Sequence, residues 1–368
     1  MIILNDEKSK MMYTLQDRIR GSLIGGAIGD ALGYPVEFFF SYERIQARYG
    51  ERGITRFDRE YAVGQDGKAA FSDDTQMTLF TANGILNAKR MGLPGTIGIR
   101  DAYVEWYLTQ TGFKSYRYKD CWIASVPALN QNRAPGTTCM SALEAVFQGQ
   151  IPRNDSMGCG GVMRIAPIPL YAIAPKTTDS EQCRISIEDA DLLAGDAARI
   201  THKHPLGYIP AALMSHVIYR LAGDPEPTRE TMKRYIQEGA DAMNQLYGAF
   251  PKEVKYMAEL TDLVVRLANN DKSDVENIGV LGEGWTGDEA LVIALYCALK
   301  YIDNFEEAMI AAVNHAGDSD STGAVTGNIL GAAIGYEAIP QFFKDDLEMQ
   351  DLILHMADDL YRGEITKM

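Results

Sequence analysis

The sequence predicts an all-α protein, a single domain built as a multi-helix orthogonal bundle. Helical periodicity recurs along most of its length, strand-like alternation is scarce, and glycine falls at every fourth residue in two segments, a spacing that keeps to one helical face. In chain order, the three-to-four spacing of apolar residues predicts helices over 13–33, 73–90, 100–109, 186–201, 209–222, 229–246, 253–268, 287–301, 305–314 and 322–336. The first carries Gly21, Gly25, Gly29 and Gly33. The second follows "FSDD", whose serine and acids suit a helix start. The fourth runs into "THKHPLGY", where Pro205 reads as the stop, and the fifth closes on the Pro- and Gly-rich stretch 222–227. Gly282, Gly284 and Gly287 punctuate the loop before the eighth, whose run "ALVIALYCAL" (290–299) is apolar all round and so belongs at the centre of the bundle. The last carries Gly323, Gly327, Gly331 and Gly335.

Glycine inside a helix costs up to about 1 kcal/mol relative to alanine. Eight such positions in two registers require a compensating gain, and close backbone approach supplies one. The first of these segments and the one carrying Gly323 to Gly335 are therefore expected to pack together. That joins the two ends of the chain in one core, so residues 1–368 read as one domain, with 1–12 as a flexible or peripheral extension. No low-complexity linker interrupts the chain.

Fifty Asp and Glu against 35 Lys and Arg give a formal charge of −15 over 368 residues, which argues against a nucleic-acid partner held through its phosphates. An anionic ligand would need locally placed positive charge or amides. No stretch approaches the roughly 18 uninterrupted apolar residues of a membrane helix, and the start "MIILNDEKSK" lacks a signal architecture, so a cytoplasmic location without membrane attachment is expected. Five cysteines, Cys121, Cys139, Cys159, Cys183 and Cys297, are scattered without a C-x-x-C pair, which points to reduced thiols.

Two oxygen-rich clusters stand before helical segments: Ser72, Asp73 and Asp74 in "FSDDTQM", and Asp318, Asp320 and Ser321 in "AGDSDSTGAV". Capping explains either alone. Together they offer hard donors suited to Mg²⁺, Mn²⁺ or Ca²⁺, without soft ligands, and bound cations would offset the repulsion of four crowded carboxylates. The spacing is not that of an EF-hand. An aspartyl-phosphate phosphatase would need a strand before Asp318, whereas "FEEAMIAAVNH" has helical spacing. In "GDALGYPVEF", Asp30 and Glu37 flank a helix exit, and Glu37 sits between apolar residues. "MGCGGVMRIAPIPL" packs Gly158, Gly160 and Gly161 into a loop that either turns amides toward phosphate or simply turns the chain.

With these residues in view, the sequence resembles the ADP-ribosylglycohydrolase family, whose members include the dinitrogenase reductase-activating glycohydrolase and ADP-ribosylarginine hydrolases. The resemblance rests on six motifs in the family's order: "GSLIGGAIGDALGYPVEF", "FSDDTQMT", "GCGGVMRIAPIPL", "THKHPLGY", "GWTGDEALVIALYCAL" and "NHAGDSDSTGAVTGNILGAAIG". It implies an all-α domain with two divalent cations, Mg²⁺ or Mn²⁺, that hydrolyses the C1″ glycosidic bond between ADP-ribose and a modified side chain. By the same resemblance, Ser72, Asp73, Asp74, Asp318, Asp320 and Ser321 match metal-ligand motifs, with Asp73, Asp74, Asp320 and Glu37 at catalytic positions. Glu37, Gly158, Gly160, Gly161 and His202 match substrate-binding segments, and Asp30 matches a supporting acid. Cys159 stands where relatives more often carry Asn. Segments 113–135 and 222–284 run longer than a minimal member needs, and they are expected to shape specificity. "SDDT" and "DSDST" are closer to arginine-specific members. The implied substrate is an ADP-ribosylated protein modified on arginine, with ADP-ribose as product and an ADP-ribosyltransferase as a possible cognate partner. A pocket that binds ADP-ribose or such a transferase without turnover, or a hydrolase of a small ADP-ribose conjugate, are the alternatives.

Overall fold

The computed structural model describes residues 14–64, 66–112, 121–175 and 185–368. The expected extension 1–12, part of the 113–135 segment and Cys183 lie outside the described residues. Sixteen α-helices form among the described ones: α1 (Leu15–Gly33), α2 (Tyr42–Tyr49), α3 (Asp73–Met91), α4 (Gly95–Gln110), α5 (Thr137–Phe147), α6 (Pro167–Ile173), α7 (Ile187–Arg199) and α8 (Pro205–Gly223). They continue with α9 (Arg229–Leu246), α10 (Pro251–Leu267), α11 (Asp274–Leu281), α12 (Gly287–Lys300), α13 (Phe305–Val313), α14 (Ser319–Ile334), α15 (Gln341–Asp346) and α16 (Gln350–Arg362). No strand forms among these residues; β-type pairing is limited to isolated bridges. The protein is all-α, as its periodicity predicts.

All ten expected helices are present, with shifted ends. α4 starts at Gly95, before the expected residue 100, and α14 starts at Ser319, so that Asp318 becomes its N-cap, its side chain accepting from the Ser321 amide. Pro205 corrects a second expectation. It opens α8 instead of stopping α7, because proline at a first helical position has no amide to lose, and the His204 ring caps that start by accepting from Leu206 N. Helices α2, α5, α6, α11, α15 and α16 are not among those the sequence pattern predicts. Most are short, and α6 carries two prolines, which blur a period of 3.6.

α1 and α14 form the spine. They run antiparallel in van der Waals contact: a Cβ on Gly21 would stand 2.6 Å from the Gly331 carbonyl oxygen, and one on Gly33 would stand 2.5 Å from Asp320 N. The expected glycine seam is therefore real, and its reason is steric. Gly335 differs in role, since it ends α14 at φ 82°. Ser22 Oγ donates to the Asn328 carbonyl and Asn328 Nδ2 to the Ser22 carbonyl, both at 2.8 Å, which locks the register across the seam. α12 contacts α14, and the side chains of Leu291 through Cys297 are fully buried, so the apolar run occupies the centre as expected. Among the described residues, no helix is long and apolar enough to cross a membrane.

Candidate active site

The antiparallel spine dictates what meets what. Because α1 ends where α14 begins, the exit of α1, with Asp30 in its last turn and Glu37 just beyond, lies beside Asp318, Ser319 and Asp320. Asp30 then recruits the third element. Its Oδ1 accepts from Ser72 N at 2.8 Å, and its Oδ2 accepts from Thr75 N at 2.9 Å and Thr75 Oγ1 at 2.6 Å. A buried carboxylate thus binds the free amides at the start of α3, which a helix N-terminus offers to negative charge. The two oxygen-rich clusters, far apart in sequence, are drawn together through α1.

Glu37, Asp318 and Asp320 each present a carboxylate oxygen within 4.8 Å of the others, and all three are buried. Together with Asp73, Asp74 and Ser321 they line a cavity of about 370 Å³. Ser72 does not line it: its hydroxyl accepts from Asp74 N at 3.2 Å and so caps α3. Asp73 Oδ2 accepts from Gly136 N at 3.3 Å, and Asp318 Oδ2 accepts from the Cys159 thiol at 2.8 Å. Glu37 Oε2 and Asp74 Oδ1 are buried with no hydrogen-bond partner among the described residues. A larger cleft of about 640 Å³ opens around Arg18 and Tyr235, but only one of its lining residues, Asp224, carries a carboxylate.

Electrostatics set the acid cluster apart from the other carboxylates of the protein. Burial, then repulsion from Asp320, pushes the Glu37 carboxyl up to about 12 and the Asp30 carboxyl to about 7. The same two causes, in the same order, raise Asp73, Asp74 and Asp318 well above the carboxylate range. Orphaned carboxylate oxygens and mutually repelling acids in one cavity are what divalent cations would satisfy, and the donors are hard oxygens. The residues present fit a hard divalent cation.

The glycine loop forms a second wall. A Cβ at Gly160 would stand 2.9 Å from Cys139 Sγ and 3.0 Å from His202 Cε1, so glycine here permits close packing of a histidine behind the loop. Gly158 and Gly160 line the cavity, whereas Gly161 turns to the Gly207 carbonyl in α8. The amides of Gly158 and Cys159 are already donated within the protein, to Ser156 Oγ at 3.3 Å and the Trp285 carbonyl at 3.1 Å. The expectation that the whole loop offers free amides is narrowed accordingly. His202 lines the cavity too.

Sequence reading misses Phe38, Met163, Trp285 and the wall from Gly136 to Cys139, all of which line the cavity. Trp285 lies inside "GWTGDEALVIALYCAL", but nothing in its spacing marks an exposed face. The wall has a weak signal, "APGTT", a turn that opens α5. Of the two long segments, the first supplies Ala134 and Pro135; the second consists mainly of α9, α10 and α11, and its residues are not among those lining the cavity.

A sequence model described as ADP-ribosylglycohydrolase matches residues 11–367. The chain is 24% identical over 344 residues to ADP-ribosyl-[dinitrogen reductase] glycohydrolase from Rhodospirillum rubrum, covering 92% of each chain. It is 24% identical over 348 residues to ADP-ribosylarginine hydrolase Tri1 from Serratia proteamaculans, covering 94% of this chain and 79% of that relative. A solved structure, an ADP-ribosylglycohydrolase-related protein complex, superimposes with a TM-score of 0.61 at 21% identity over 95% of this chain and 99% of that one.

Proposed function

Because this chain belongs to the ADP-ribosylglycohydrolase family, we propose that it removes ADP-ribose from mono-ADP-ribosylated proteins, with arginine as the modified side chain, using two divalent cations. The observation that carries the reading is the cavity in which Glu37, Asp318 and Asp320 converge beside Asp73 and Asp74, with unpartnered oxygens on Glu37 and Asp74. Arginine is favoured by the forms "SDDT" and "DSDST" and by the likeness to the Serratia ADP-ribosylarginine hydrolase. We take residues 1–368 as one domain acting in the cytoplasm.

In this reading Asp73, Asp74, Asp318 and Asp320 hold the cations, with Ser72 and Ser321 shaping the ends of α3 and α14 that present them. Bound Mg²⁺ or Mn²⁺ supplies Lewis acidity at the ribose hydroxyls and the positive charge that returns neighbouring carboxyls to their ionised form. Glu37, at the cavity wall with a free Oε2, orients or deprotonates the attacking water. Gly158 and Gly160 let His202 pack close beside the cavity wall, where its ring nitrogen is offered to the ligand's diphosphate. Met163, Phe38 and Trp285 add apolar surface to the cavity lining.

The test is release of free ADP-ribose from arginine-modified and serine-modified protein, with Mg²⁺ or Mn²⁺ and with chelator. The proposal expects metal-dependent release that is faster from arginine. Release from serine alone would overturn the substrate, and tight ADP-ribose binding without release from either would replace the enzyme with a binding module.

A further inference from the structure

Behind the glycine loop two buried polar residues, Arg164 and Thr201, which the reaction as described leaves unused, reach His202. Arg164 is fully buried and its guanidinium faces neutral groups: Nη1 lies 3.3 Å from Met77 Sδ and 3.4 Å from Cys139 Sγ, and its carbon lies 4.2 Å over the Tyr103 ring. Nη2 donates to Thr201 Oγ1 at 2.6 Å. Thr201 Oγ1 in turn lies 2.9 Å from His202 Nδ1 and 3.3 Å from the Ala198 carbonyl oxygen. Thr201 is also fully buried, and His202 is 2% exposed.

A hydroxyl has one hydrogen and two lone pairs, while a guanidinium can only donate. Arg164 therefore occupies a lone pair of Thr201, and its charge makes the remaining hydroxyl hydrogen a better donor and the oxygen a poorer acceptor. That hydrogen can turn to Nδ1, to the Ala198 carbonyl or to the neighbouring Cys139 sulfur; sulfur is the weakest acceptor of the three, and Nδ1 is nearer than the carbonyl by 0.4 Å, the difference between 3.3 and 2.9 Å. A second N–H aimed at the same oxygen, from a protonated Nδ1, would also face the guanidinium. We infer that Arg164 and Thr201 fix His202 in the tautomer bearing its hydrogen on Nε2, making that nitrogen a neutral hydrogen-bond donor to an oxygen of the bound ADP-ribose. Among the described residues Nε2 has no hydrogen-bond partner in the protein, and the ring edge carrying it lies against Gly158 and Gly160 at the cavity wall. Burial, then the Arg164 charge, pushes the ring's pKa down to about 3, so the neutral form persists across the physiological range. Thr201 and Arg164 are positioning residues: they act on the ligand through His202.

The ligand's identity rests on the proposed function, but the tautomer does not, which allows the two to fail separately. Nitrogen-15 NMR of histidine-labelled protein, with the His202 signals assigned by a His202→Gln variant, reads the protonation of each ring nitrogen. The expected spectrum has Nδ1 unprotonated and Nε2 protonated, unchanged between about pH 5.5 and pH 8. Thr201→Val, which keeps the shape and removes the hydroxyl, should mix or reverse the tautomers and weaken ADP-ribose binding about tenfold. Thr201→Ser should restore both, which a merely structural role for the threonine methyl would not. Protonated Nδ1 in the wild type, or an unchanged tautomer in Thr201→Val, overturns the inference. The expected tautomer with no ADP-ribose binding in the wild type would overturn the donor role and the proposed function, while leaving the assignment of Nδ1 as acceptor intact.

Discussion

Gly29 and Gly323 leave each other no room for a side chain: a Cβ on Gly29 would stand 2.9 Å from Ala324 N and overlap the Gly323 carbonyl, and one on Gly323 would stand 2.8 Å from the Gly29 carbonyl carbon. This contact fixes how closely the exit of α1 approaches the start of α14. It therefore sets the separation between the segment that carries Glu37 and the segment that carries Asp318 and Asp320.

Gly29→Ala should destabilise the protein by about 1–3 kcal/mol or more, as overpacking of a rigid contact does. Gly279→Ala is the control. Gly279 lies inside α11, where a Cβ would meet nothing within 4 Å, so the change should stabilise by up to about 1 kcal/mol through helix propensity. Urea unfolding measures both, and equal effects would contradict the steric account of the seam.

Asp320→Asn should act in opposite directions on stability and on activity. Asp320 contributes repulsion to Glu37, Asp30, Asp73, Asp74 and Asp318. Its neutralisation should raise the melting temperature of chelator-treated protein, remove the rise that Mn²⁺ gives, and lower turnover by more than the roughly 10–100-fold typical of a supporting residue. Asp73→Asn should likewise abolish turnover while the helical circular dichroism is retained. Full activity in either variant would end the ligand assignment.

In the metal-free protein, folding should weaken as pH rises. Glu37 is raised from 4.5 to about 12 and Asp30 from 3.8 to about 7, so above the unfolded values the folded state binds more protons than the unfolded state. Stability then falls with increasing pH. With chelator, the melting temperature should drop from about pH 5 to about pH 8, and saturating Mn²⁺ should flatten the slope. A chelated protein that is more stable at the higher pH would contradict the buried-acid picture.

Glu348 holds the far wall of the cavity to the start of α3. It forms a buried ion pair with Arg133 and accepts from Phe71 N at 2.9 Å, while the Arg133 carbonyl accepts from Asp73 N at 3.1 Å. Glu348→Ala leaves Arg133 buried without its partner and should cost about 3–5 kcal/mol by denaturant titration. Glu348→Gln, which keeps the acceptor for Phe71, should cost less.

Much of this is legible in the sequence for identifiable reasons. The four-residue glycine spacing predicts the spine because only close backbone contact offsets the helical cost of Gly21 to Gly33 and Gly323 to Gly331. The paired oxygen clusters predict where acids gather, since their residue types suit both caps and hard cations. Asp30 stands at a supporting position by resemblance, but its bonds to Ser72 and Thr75 span more than forty residues and no local pattern encodes them. The same holds for Glu348 and Arg133, which pair across 215 residues. Pro205 misleads because proline marks helix starts as readily as helix ends, and only the following Leu206 to Gly223 decides between them. Trp285 becomes visible only when the chain folds around it, and the Gly136–Cys139 wall has no more than the turn signal "APGTT" to mark it.

The central claim is that acids from the starts of α3 and α14 share a pair of cations. Anomalous diffraction from crystals grown with Mn²⁺ tests it most directly. Two manganese peaks about 3.5–4 Å apart, lying between Asp73 or Asp74 on one side and Asp318 or Asp320 on the other, are predicted. No peak in this cavity, or a single ion held by one cluster alone, would contradict it.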